Sequence, residues 1–375
     1  MTTRPTVIVI GAGPAGIAAT RRLREEAALR VCLVAPDGMA EYLPGTLAVA
    51  TGDALASRYR TSIELGLVEV IPARAEALRP GAVKVNGSWL DAQAIIAAPG
   101  LALAPIGAGR GDRIVGFWGP SGAEAAAPRV QAVERGVVQI VISSLLYRCP
   151  PAPYGLAMRL ARRAARLRRP IEVRLLTPEE HPLAALGRSV GDSLLAACAQ
   201  AGVKVRLGAH LDPDGLTAGQ LVGGGSVLED AALTIVIPPH RASPLLRDLG
   251  DGSVLVPADD RFATAAPGIF VAGDAAATAY PRAADPAAVS GVTAAEAILT
   301  ELGYHDGNPR RTPEPDCFVD HGDGRYGRIR ISYPDGPPPA GQPAVGVDAP
   351  AREQGAAFED AHRRWQALRR DAPAP

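Results

Sequence analysis

The sequence has 375 residues, with 39 Lys and Arg against 39 Asp and Glu, so its formal net charge is zero. Hydrophobic residues make up 47% and charged residues 21%, a balance that is typical of globular domains and excludes a disordered chain. The length predicts two or three domains. The neutral charge gives no reason to expect a nucleic acid as partner.

Cysteine usage and the start of the chain limit the possibilities further. The four cysteines, Cys32, Cys149, Cys198 and Cys317, are too few for a disulfide scaffold, and no pair has zinc-ligand spacing, so no metal site is predicted. Met1–Pro5 leads directly into an apolar strand, which leaves no room for a secretion signal. No apolar run approaches the ~18 residues that span a membrane. These features predict a cytoplasmic protein with reduced thiols.

The chain begins with a βαβ unit. The apolar run Thr6–Ile10 predicts a buried parallel strand, an alanine-rich helix extends to about Ala28, and Arg30–Val34 predicts the second strand. The turn before the helix reads G-x-G-x-x-G, whose glycines permit a tight turn, a close approach to a pyrophosphate and tight helix packing. We therefore predict that this turn binds a dinucleotide through Gly11, Gly13, Pro14, Ala15 and Gly16.

The acidic residue expected at the end of the second strand is displaced. Ala35 and Pro36 stand where a carboxylate usually meets the ribose hydroxyls, and Asp37 follows two residues late. Asp37 is either a ribose ligand or a residue of a Pro-Asp-Gly turn. The sequence leaves both interpretations open.

Two later motifs indicate which dinucleotide binds. A short apolar strand, Ile269–Ala272, ends at Gly273 and Asp274 and resembles the flavin motif of the flavoproteins with two dinucleotide domains. In that motif the Asp binds the ribityl or pyrophosphate region of FAD. Ala94–Gly100 resembles the intermediate motif of the same flavoproteins. The resemblance implies an FAD site that includes Ala98, Gly100, Gly273 and Asp274.

The predicted fold is α/β, with two Rossmann-like dinucleotide-binding domains and a small C-terminal α+β region. The FAD domain comprises residues 1–110 and 231–302, an NAD-type domain occupies residues 111–230 between them, and residues 303–375 form the C-terminal region. The middle segment repeats the strand–helix rhythm at Val137–Ser143, Tyr154–Leu167, Ile171–Leu176, Val190–Ala201 and Val203–Leu207. Its first turn has three prolines and no glycine fingerprint. Because proline has no N–H to donate, we expect poor NAD binding there.

Farther along, Asp285 and Pro286 begin a predicted helix that extends to about Thr300. Cys317–Asp320 and Arg325–Tyr333 predict a hairpin, Asp335–Pro350 a Pro/Gly linker and Ala351–Arg370 an amphipathic helix. Four arginines lie at helical spacing in the middle domain, namely Arg159, Arg162, Arg163 and Arg166. We interpret them as the solvated face of a helix. The alternative is a docking stripe for an acidic partner or an anionic membrane.

The loop Tyr147–Tyr154 resembles the corresponding segment of the flavocytochrome c sulfide dehydrogenase flavoproteins and, more loosely, of the sulfide:quinone oxidoreductases. Shorter matches occur at Ile237–Arg241, Tyr280–Arg282 and Asp316–Val319. The resemblance implies that Cys149 and Cys317 form a redox-active pair beside the flavin, and that Pro44, Pro281 and Arg282 also line the FAD site. FAD should be non-covalent, because residues 41–46, where these flavoproteins attach it through cysteine, contain none.

The cysteine pair competes with a plainer interpretation, two unrelated buried cysteines. Cys149 lies at a loop–helix junction beside Arg148, and both a helix N-terminus and a cation depress a thiol pKa, so we expect a reactive thiol. Cys32 and Cys198 are interpreted as core residues. His240 is either a proton shuttle or, more commonly for such a turn, a surface or structural residue.

The sequence thus predicts an FAD-dependent oxidoreductase that oxidises sulfide or a small sulfur compound and passes electrons to a quinone or an electron-carrier protein. Peripheral membrane contact and a dimer are compatible with it. Two alternatives stay open: an NAD(P)H- or quinone-linked FAD oxidoreductase with non-catalytic cysteines, and a flavin-bearing partner subunit without turnover of its own.

Overall fold

The computed structural model describes residues 4–106, 113–210, 231–250, 252–306, 311–336 and 340–371, and the backbone of 222–223 and 226–227. Its helices are α1 (Pro14–Leu23), α2 (Thr46–Ala50), α3 (Gly119–Ala132), α4 (Ala152–Arg166), α5 (Arg188–Gln200), α6 (Ala284–Glu301) and α7 (Arg352–Ala367). Its strands are β1 (Thr6–Ile10), β2 (Arg30–Val34), β3 (Met39–Glu41), β4 (Arg60–Ser62), β5 (Val68–Ile71), β6 (Ala75–Arg79), β7 (Ala82–Val85), β8 (Ser88–Asp91), β9 (Ala94–Ala97), β10 (Ala102–Leu103), β11 (Ile114–Gly116), β12 (Gly136–Ile142), β13 (Ile171–Leu176), β14 (Val203–Arg206), β15 (Val222–Gly223), β16 (Ser226–Val227), β17 (Leu233–Ile237), β18 (His240–Arg241), β19 (Ile269–Val271), β20 (Asp316–Asp320), β21 (Tyr326–Ser332) and β22 (Ala344–Ala351).

The first sheet is parallel, with the strand order β19-β9-β1-β2-β5. Its central strand β1 is almost fully buried, and Ile8 lies between Ile95 of β9 and Cys32 of β2. Such continuous burial explains the apolar runs, because strands covered on both faces need no polar alternation. The sheet brings the glycine turn after β1 close to the ends of β9 and β19.

The second sheet is also parallel, with the order β11-β17-β12-β13-β14. The chain leaves the first sheet through β10 and returns through β18, and these two strands pair antiparallel. Two parallel sheets with helices packed on them confirm the predicted α/β fold with two Rossmann-like units. The residue ranges given for the four domains stay a prediction.

The C-terminal region contains an antiparallel sheet of order β20-β21-β22. The predicted hairpin forms, with Cys317 opposite Ile329. The linker predicted at Asp335–Pro350 is wrong for its second half, because β22 pairs there with β21. Its Pro and Gly content obscured a strand in which Val345 and Val347 lie opposite Ile331 and Ile329.

The end of helix α1 also differs from the prediction. Helix α1 ends at Leu23 rather than near Ala28, since Glu26 and Leu29 close successive turns on the carbonyls of Leu23 and Glu26. These turns bring the chain back to β2. Helix α7 forms as predicted and buries Phe358, His362 and Trp365 on one face. In the part of the chain that the structure describes, no helix combines the length and apolarity that crossing a bilayer requires.

Helices α1 and α6 pack so closely that only glycine fits at one crossing point. A Cβ placed on Gly291 of α6 would lie 2.1 Å from the carbonyl oxygen of Ala15. We expect Gly291→Ala to lower the free energy of unfolding by at least about 2 kcal/mol, because backbone atoms cannot move aside cheaply. Denaturant unfolding measures this change. Gly346→Ala is the control, since a Cβ there meets nothing within 4 Å. Equal stability of the two variants would contradict this account of the helix contact.

Candidate active site

The turn after β1 forms a cradle of backbone atoms at the N-terminus of α1. Gly11 has a φ of +101°, and a Cβ on it would lie 2.2 Å from the carbonyl oxygen of Ala98. A Cβ on Gly16 would lie 1.8 Å from the carbonyl oxygen of Gly11. At Gly13, by contrast, a Cβ would meet nothing within 4 Å. The turn is therefore closed on its protein side and open at Gly13, where a phosphate would approach the free amides of α1.

The ends of β9 and β19 border this cradle. The Ala98 amide donates to the carbonyl of Ile10 at 2.8 Å, and the Gly273 amide donates to Ser290 Oγ at 2.8 Å. Gly100 and Gly273 both adopt positive φ, +68° and +75°. Within the described residues, the neighbouring Asp274 carboxylate accepts no hydrogen bond from the protein. Burial raises the pKa of Asp274, while the charges of Arg148 and Arg282 oppose that rise.

Asp37 and Pro44 lie on the opposite flank, beyond β2. Asp37 is in a turn with a φ of +53°, and its carboxylate accepts a hydrogen bond from Arg60 Nη2 at 2.7 Å. Its side chain is more than half exposed. Pro44 lies in the turn Leu43–Gly45 immediately before α2. The ribose role of Asp37 and the flavin role of Pro44 stay predictions.

Cys149 is held in a strained backbone conformation between the two sheets, with a φ of +52°. Its amide donates to the carbonyl of Arg282 at 2.8 Å, and its carbonyl accepts from the Ala152 amide at 2.9 Å. Burial, followed by the charge of Asp274, raises the pKa of the Cys149 thiol to about 11. The Ala152 amide and Arg148 act in the opposite direction. The expectation of a depressed thiol pKa is therefore wrong, because loss of solvent outweighs both favourable groups.

Cys317 lies on β20 and shares this enclosed region. Burial raises the pKa of the Cys317 thiol, and the next cause is the charge of Cys149, followed by Asp316 and Asp285. Cys149 is thus close enough to Cys317 for its charge to act on the ionisation of the Cys317 thiol. All four cysteines are free thiols in the structure. Cys32 and Cys198 lie apart in the core, as expected, and burial raises their pKa values to about 11 and about 12.

Two residues near Cys149, Arg148 and Tyr42, were not assigned to the site from the sequence. Burial lowers the pKa of Arg148, against the opposing charges of Asp274, Cys149 and Glu41, and its buried Nε has no hydrogen-bond partner in the described part of the chain. Burial and then Cys149 raise the pKa of Tyr42, whose ring stacks on His362 at 4.7 Å. Arg148 precedes Cys149 in the diagnostic loop and could have been found there. No motif in the sequence around Tyr42 indicates that it lies near Cys149.

His240 is buried, so a surface location is wrong. It is 4% exposed, its Nδ1 lies 3.0 Å from the carbonyl of Pro238, and its ring packs edge-on against Trp118. Burial and the charge of Arg148 lower the pKa of His240 to about 4, so the ring is neutral at pH 7. Its buried Nε2 has no partner among the described residues. The unpartnered nitrogens of His240 and Arg148 match a site that awaits a polar ligand.

The corresponding turn of the second sheet is filled by its own side chains. Tyr154 is fully buried, and its hydroxyl donates to Glu179 Oε2 at 2.6 Å. The hydroxyls of Tyr147 and Thr177 donate to the same oxygen at 3.3 and 2.9 Å. Glu179 follows β13, near the place where a carboxylate usually meets a ribose. Because this carboxylate is already satisfied internally, the second turn does not have the open form of the first.

The arginines of α4 do not form a solvated face, because Arg166 alone among the four is more than half exposed. A docking role of this helix stays a prediction. Three of the arginines bind one carboxylate, since Asp53 contacts Arg159 at 2.8 Å, Arg163 at 3.2 Å and Arg166 at 3.4 Å. Helical spacing predicted that the arginines share a face but could not show what covers it. The Asp53 carboxylate comes from the first-sheet half of the chain, about a hundred residues away.

No protein-family model matches the sequence, and no curated protein matches it either. Solved structures do match the fold. The sulfide:quinone oxidoreductase of the hyperthermophilic bacterium Aquifex aeolicus gives a TM-score of 0.79 at 18% identity, covering 99% of this chain and 93% of that chain. The chain has the fold of the FAD-dependent pyridine nucleotide-disulfide oxidoreductases.

Two other matches support the same fold. The NAD-dependent persulfide reductase from A. fulgidus gives a TM-score of 0.65 at 16% identity, covering 96% of this chain and 77% of that chain. The water-forming NADH oxidase from Lactobacillus brevis, bound to NADH, gives 0.64 at 16% identity, covering 88% and 75%. The resemblance inferred from the motifs is thereby confirmed at the level of the fold.

The buried, neutral His240 predicts a pH-dependent stability. Its pKa is lowered from 6.5 to about 4 in the folded protein, so the unfolded chain takes up a proton first as the pH falls. Stability is therefore lost on acidification from about pH 6.5 towards 4. Between pH 7 and 5 we expect His240→Asn to lose about 2 kcal/mol less stability than the unsubstituted protein. Urea unfolding at both pH values measures this, with the exposed His210→Asn as control. If the unsubstituted protein and both variants lost the same free energy of unfolding between pH 7 and 5, the assignment of this pH dependence to His240 would be wrong.

Proposed function

We propose that the protein is an FAD-dependent oxidoreductase that oxidises sulfide or a small sulfur compound through Cys149 and Cys317. The single observation that supports this most strongly is that α4, which follows Cys149, packs at Gly155 against the backbone of β20, the strand that carries Cys317. In keeping with this contact, the charge of Cys149 raises the pKa of the Cys317 thiol, and Asp274 and Arg148 act on Cys149 itself. The similar fold of a sulfide:quinone oxidoreductase is consistent with this chemistry.

The residues of the first turn fit a bound FAD. Gly13 is open to the approach of a pyrophosphate, and the α1 amides beside it provide donors. The Asp274 carboxylate and the Arg148 guanidinium offer an acceptor and a donor that the protein leaves unused. Arg282, whose charge acts on Asp274, and the adjacent Pro281 are proposed to line the same site. When bound, FAD would take up the electron pair released as the cysteine disulfide re-forms and would deliver it to an acceptor.

The chain's own contribution is a thiol–disulfide exchange. Hydrosulfide forms a bond to one cysteine sulfur of the Cys149–Cys317 disulfide, the S–S bond breaks, and the other cysteine leaves as a thiolate. The substrate sulfur is thereby oxidised to a cysteine persulfide, and the disulfide is reduced by the same two electrons. A second hydrosulfide then takes the outer sulfur of the persulfide away as hydrodisulfide, and the two cysteines are left as a dithiol whose oxidation re-forms the disulfide and releases the electron pair. Because both protein thiols have raised pKa values, the nucleophile is supplied by the substrate rather than by a protein thiolate.

The surroundings of the two thiols favour one direction of attack. Leaving-group ability rises as thiol pKa falls. Of the two thiols, Cys149 is the one whose described neighbours lower its pKa, and these neighbours are the Ala152 amide and Arg148. We therefore assign Cys317 as the sulfur that is attacked and Cys149 as the leaving thiolate, released beside Arg148 on the cofactor side of the pair.

The electron acceptor is proposed to be a quinone or an electron-carrier protein. The first choice follows the similar sulfide:quinone oxidoreductase, named for a quinone acceptor. The apolar face of α7 does not favour membrane insertion, because Phe358 and Trp365 are buried against Tyr42 at ring distances of 5.7 and 5.4 Å. Peripheral membrane contact and a dimer stay predictions.

Anaerobic titration with sulfide tests the proposal. We expect sulfide to bleach the visible flavin absorbance of the purified protein. Cys149→Ser and Cys317→Ser should each slow this reduction roughly a hundredfold, a loss of about 2.7 kcal/mol of barrier lowering. Cys198→Ala, a buried cysteine of α5 outside the site, should stay within about twofold. A wild-type flavin that resists sulfide, polysulfide and thiols would refute the proposal.

The filled turn of the second sheet predicts that NADH and NADPH leave the flavin oxidised. Prolines 150, 151 and 153 have no N–H, and the Ala152 amide is already used by Cys149. Stopped-flow mixing with either nucleotide in the absence of sulfide measures this. Rapid bleaching by NADH would favour an NAD(P)H-linked oxidoreductase with incidental cysteines. No reduction by any donor, with unchanged behaviour of Cys149→Ser, would favour a flavin-bearing partner subunit.

A further inference from the structure

The two cysteine-bearing elements, α4 and β20, lie in direct backbone contact. Helix α4 begins three residues after Cys149, and β20 contains Cys317 and ends at Asp320. A Cβ placed on Gly155 of α4 would lie 3.2 Å from the backbone oxygen of Asp320 and 3.3 Å from its nitrogen. The absence of a side chain at Gly155 therefore sets how closely the strand approaches the helix.

A buried ion pair fastens this contact. Arg159 Nη1, one turn after Gly155, donates to Asp320 Oδ2 at 2.6 Å, and the two side chains are 15% and 4% exposed. The other oxygen, Asp320 Oδ1, accepts the Gly322 amide at 2.7 Å. Both carboxylate oxygens are thus satisfied, which a buried charge requires.

The same guanidinium is fixed from a second direction. Arg159 Nε donates to Thr51 Oγ1 at 2.9 Å, and Nη2 donates to Asp53 Oδ2 at 2.8 Å. Thr51 and Asp53 follow α2, in the first-sheet half of the chain. One planar cation therefore joins three segments that are far apart in sequence. Its fork of donors matches two carboxylates and a hydroxyl, a geometry that lysine cannot reproduce.

We propose that Arg159 is a positioning residue that holds β20 against α4 so that Cys317 faces Cys149. This inference rests on the proposed function, since it assigns a role within the same cysteine pair. A disulfide forms only when its Cα atoms lie about 4.4–6.8 Å apart. Asp320 is three residues from Cys317, about 10 Å along the strand. Because β20 is paired in register with β21, a shift at Asp320 also moves Cys317.

Removing the guanidinium would leave the Asp320 carboxylate buried without a cation. Asp53 would keep its contacts with Arg163 and Arg166, but Asp320, which is 4% exposed, would have only the Gly322 amide among the described residues. Because a buried charge without its partner is strongly unfavourable, we expect the end of β20 to move towards solvent. Arg159→Met preserves the length of the side chain and removes the charge. Arg159→Lys keeps the charge but offers one point contact, so its effect should be intermediate.

The thiol–disulfide equilibrium of the pair tests the proposal. The purified full chain is equilibrated in dithiothreitol redox buffers, quenched with acid and alkylated, and the Cys149 and Cys317 peptides are quantified by mass spectrometry. Oxidised dithiothreitol takes the two electrons as the protein disulfide forms. We expect Arg159→Met to lower the equilibrium constant for disulfide formation about tenfold, or about 30 mV. Arg162→Met is the matched control on the same helix. Arg162 forms an ion pair with Asp323, at a distance of 3.6 Å, and none with Asp320, so the equilibrium constant of this variant should stay within about twofold of the unsubstituted protein.

A second variant tests the same geometry without touching a charge. Gly155→Ala leaves all ion pairs of Arg159 in place but adds a Cβ against the Asp320 backbone, so we expect a lower equilibrium constant again. It also serves if Arg159→Met does not fold. No disulfide in the unsubstituted protein at any buffer potential would refute the proposed function itself. A wild-type disulfide whose equilibrium is unchanged in Arg159→Met and Gly155→Ala, even with a lower melting temperature, would overturn the positioning role alone.

Discussion

One backbone hydrogen bond joins the two halves of the site, from the Cys149 amide to the carbonyl of Arg282 at 2.8 Å. Cys149 follows a strand of the second sheet, whereas Arg282 follows Asp274 at the end of the first. The bond fixes a residue in a positive-φ conformation that an isolated loop would rarely adopt. Without it, nothing local to the sequence would bring a thiol of one sheet to the cofactor edge of the other.

Burial sets the direction of the pKa shifts of the ionisable groups at this site. It raises the pKa values of Cys149 and Asp274 and lowers those of Arg148 and His240, which are the directions that loss of solvent imposes on acids and bases. A reactive resting thiolate is therefore not what this pocket stabilises. The raised thiol pKa values agree with the proposed mechanism, in which an external nucleophile attacks a Cys149–Cys317 disulfide and the charge of Arg148 stabilises the leaving thiolate.

Much of the fold was predictable because it follows local rules. The strand–turn–helix at Gly11–Gly16, the strand before Asp274 and the middle βαβ rhythm are all encoded by apolar runs and glycine positions. The burial of His240, the effect of Cys149 on the pKa of Tyr42 and the ion pairs of Arg159 are not encoded in this way. Each depends on side chains about 90 to 160 residues away that meet only after both sheets have formed. The strand Ala344–Ala351 was missed because pairing with β21, rather than propensity, makes it extended.

The two dinucleotide-type turns have diverged in opposite directions. The first keeps an open position at Gly13 and unused polar groups around it. In the second, the Tyr154 hydroxyl donates a hydrogen bond to Glu179, so neither group is free for a ligand. The prolines of this turn have no N–H groups that could bind a pyrophosphate. That turn holds Cys149 at its tip, and the helix that follows it carries Arg159 to Asp320. Among the described residues, the second sheet thus supports the loop that bears a thiol, whereas the open cradle belongs to the first sheet.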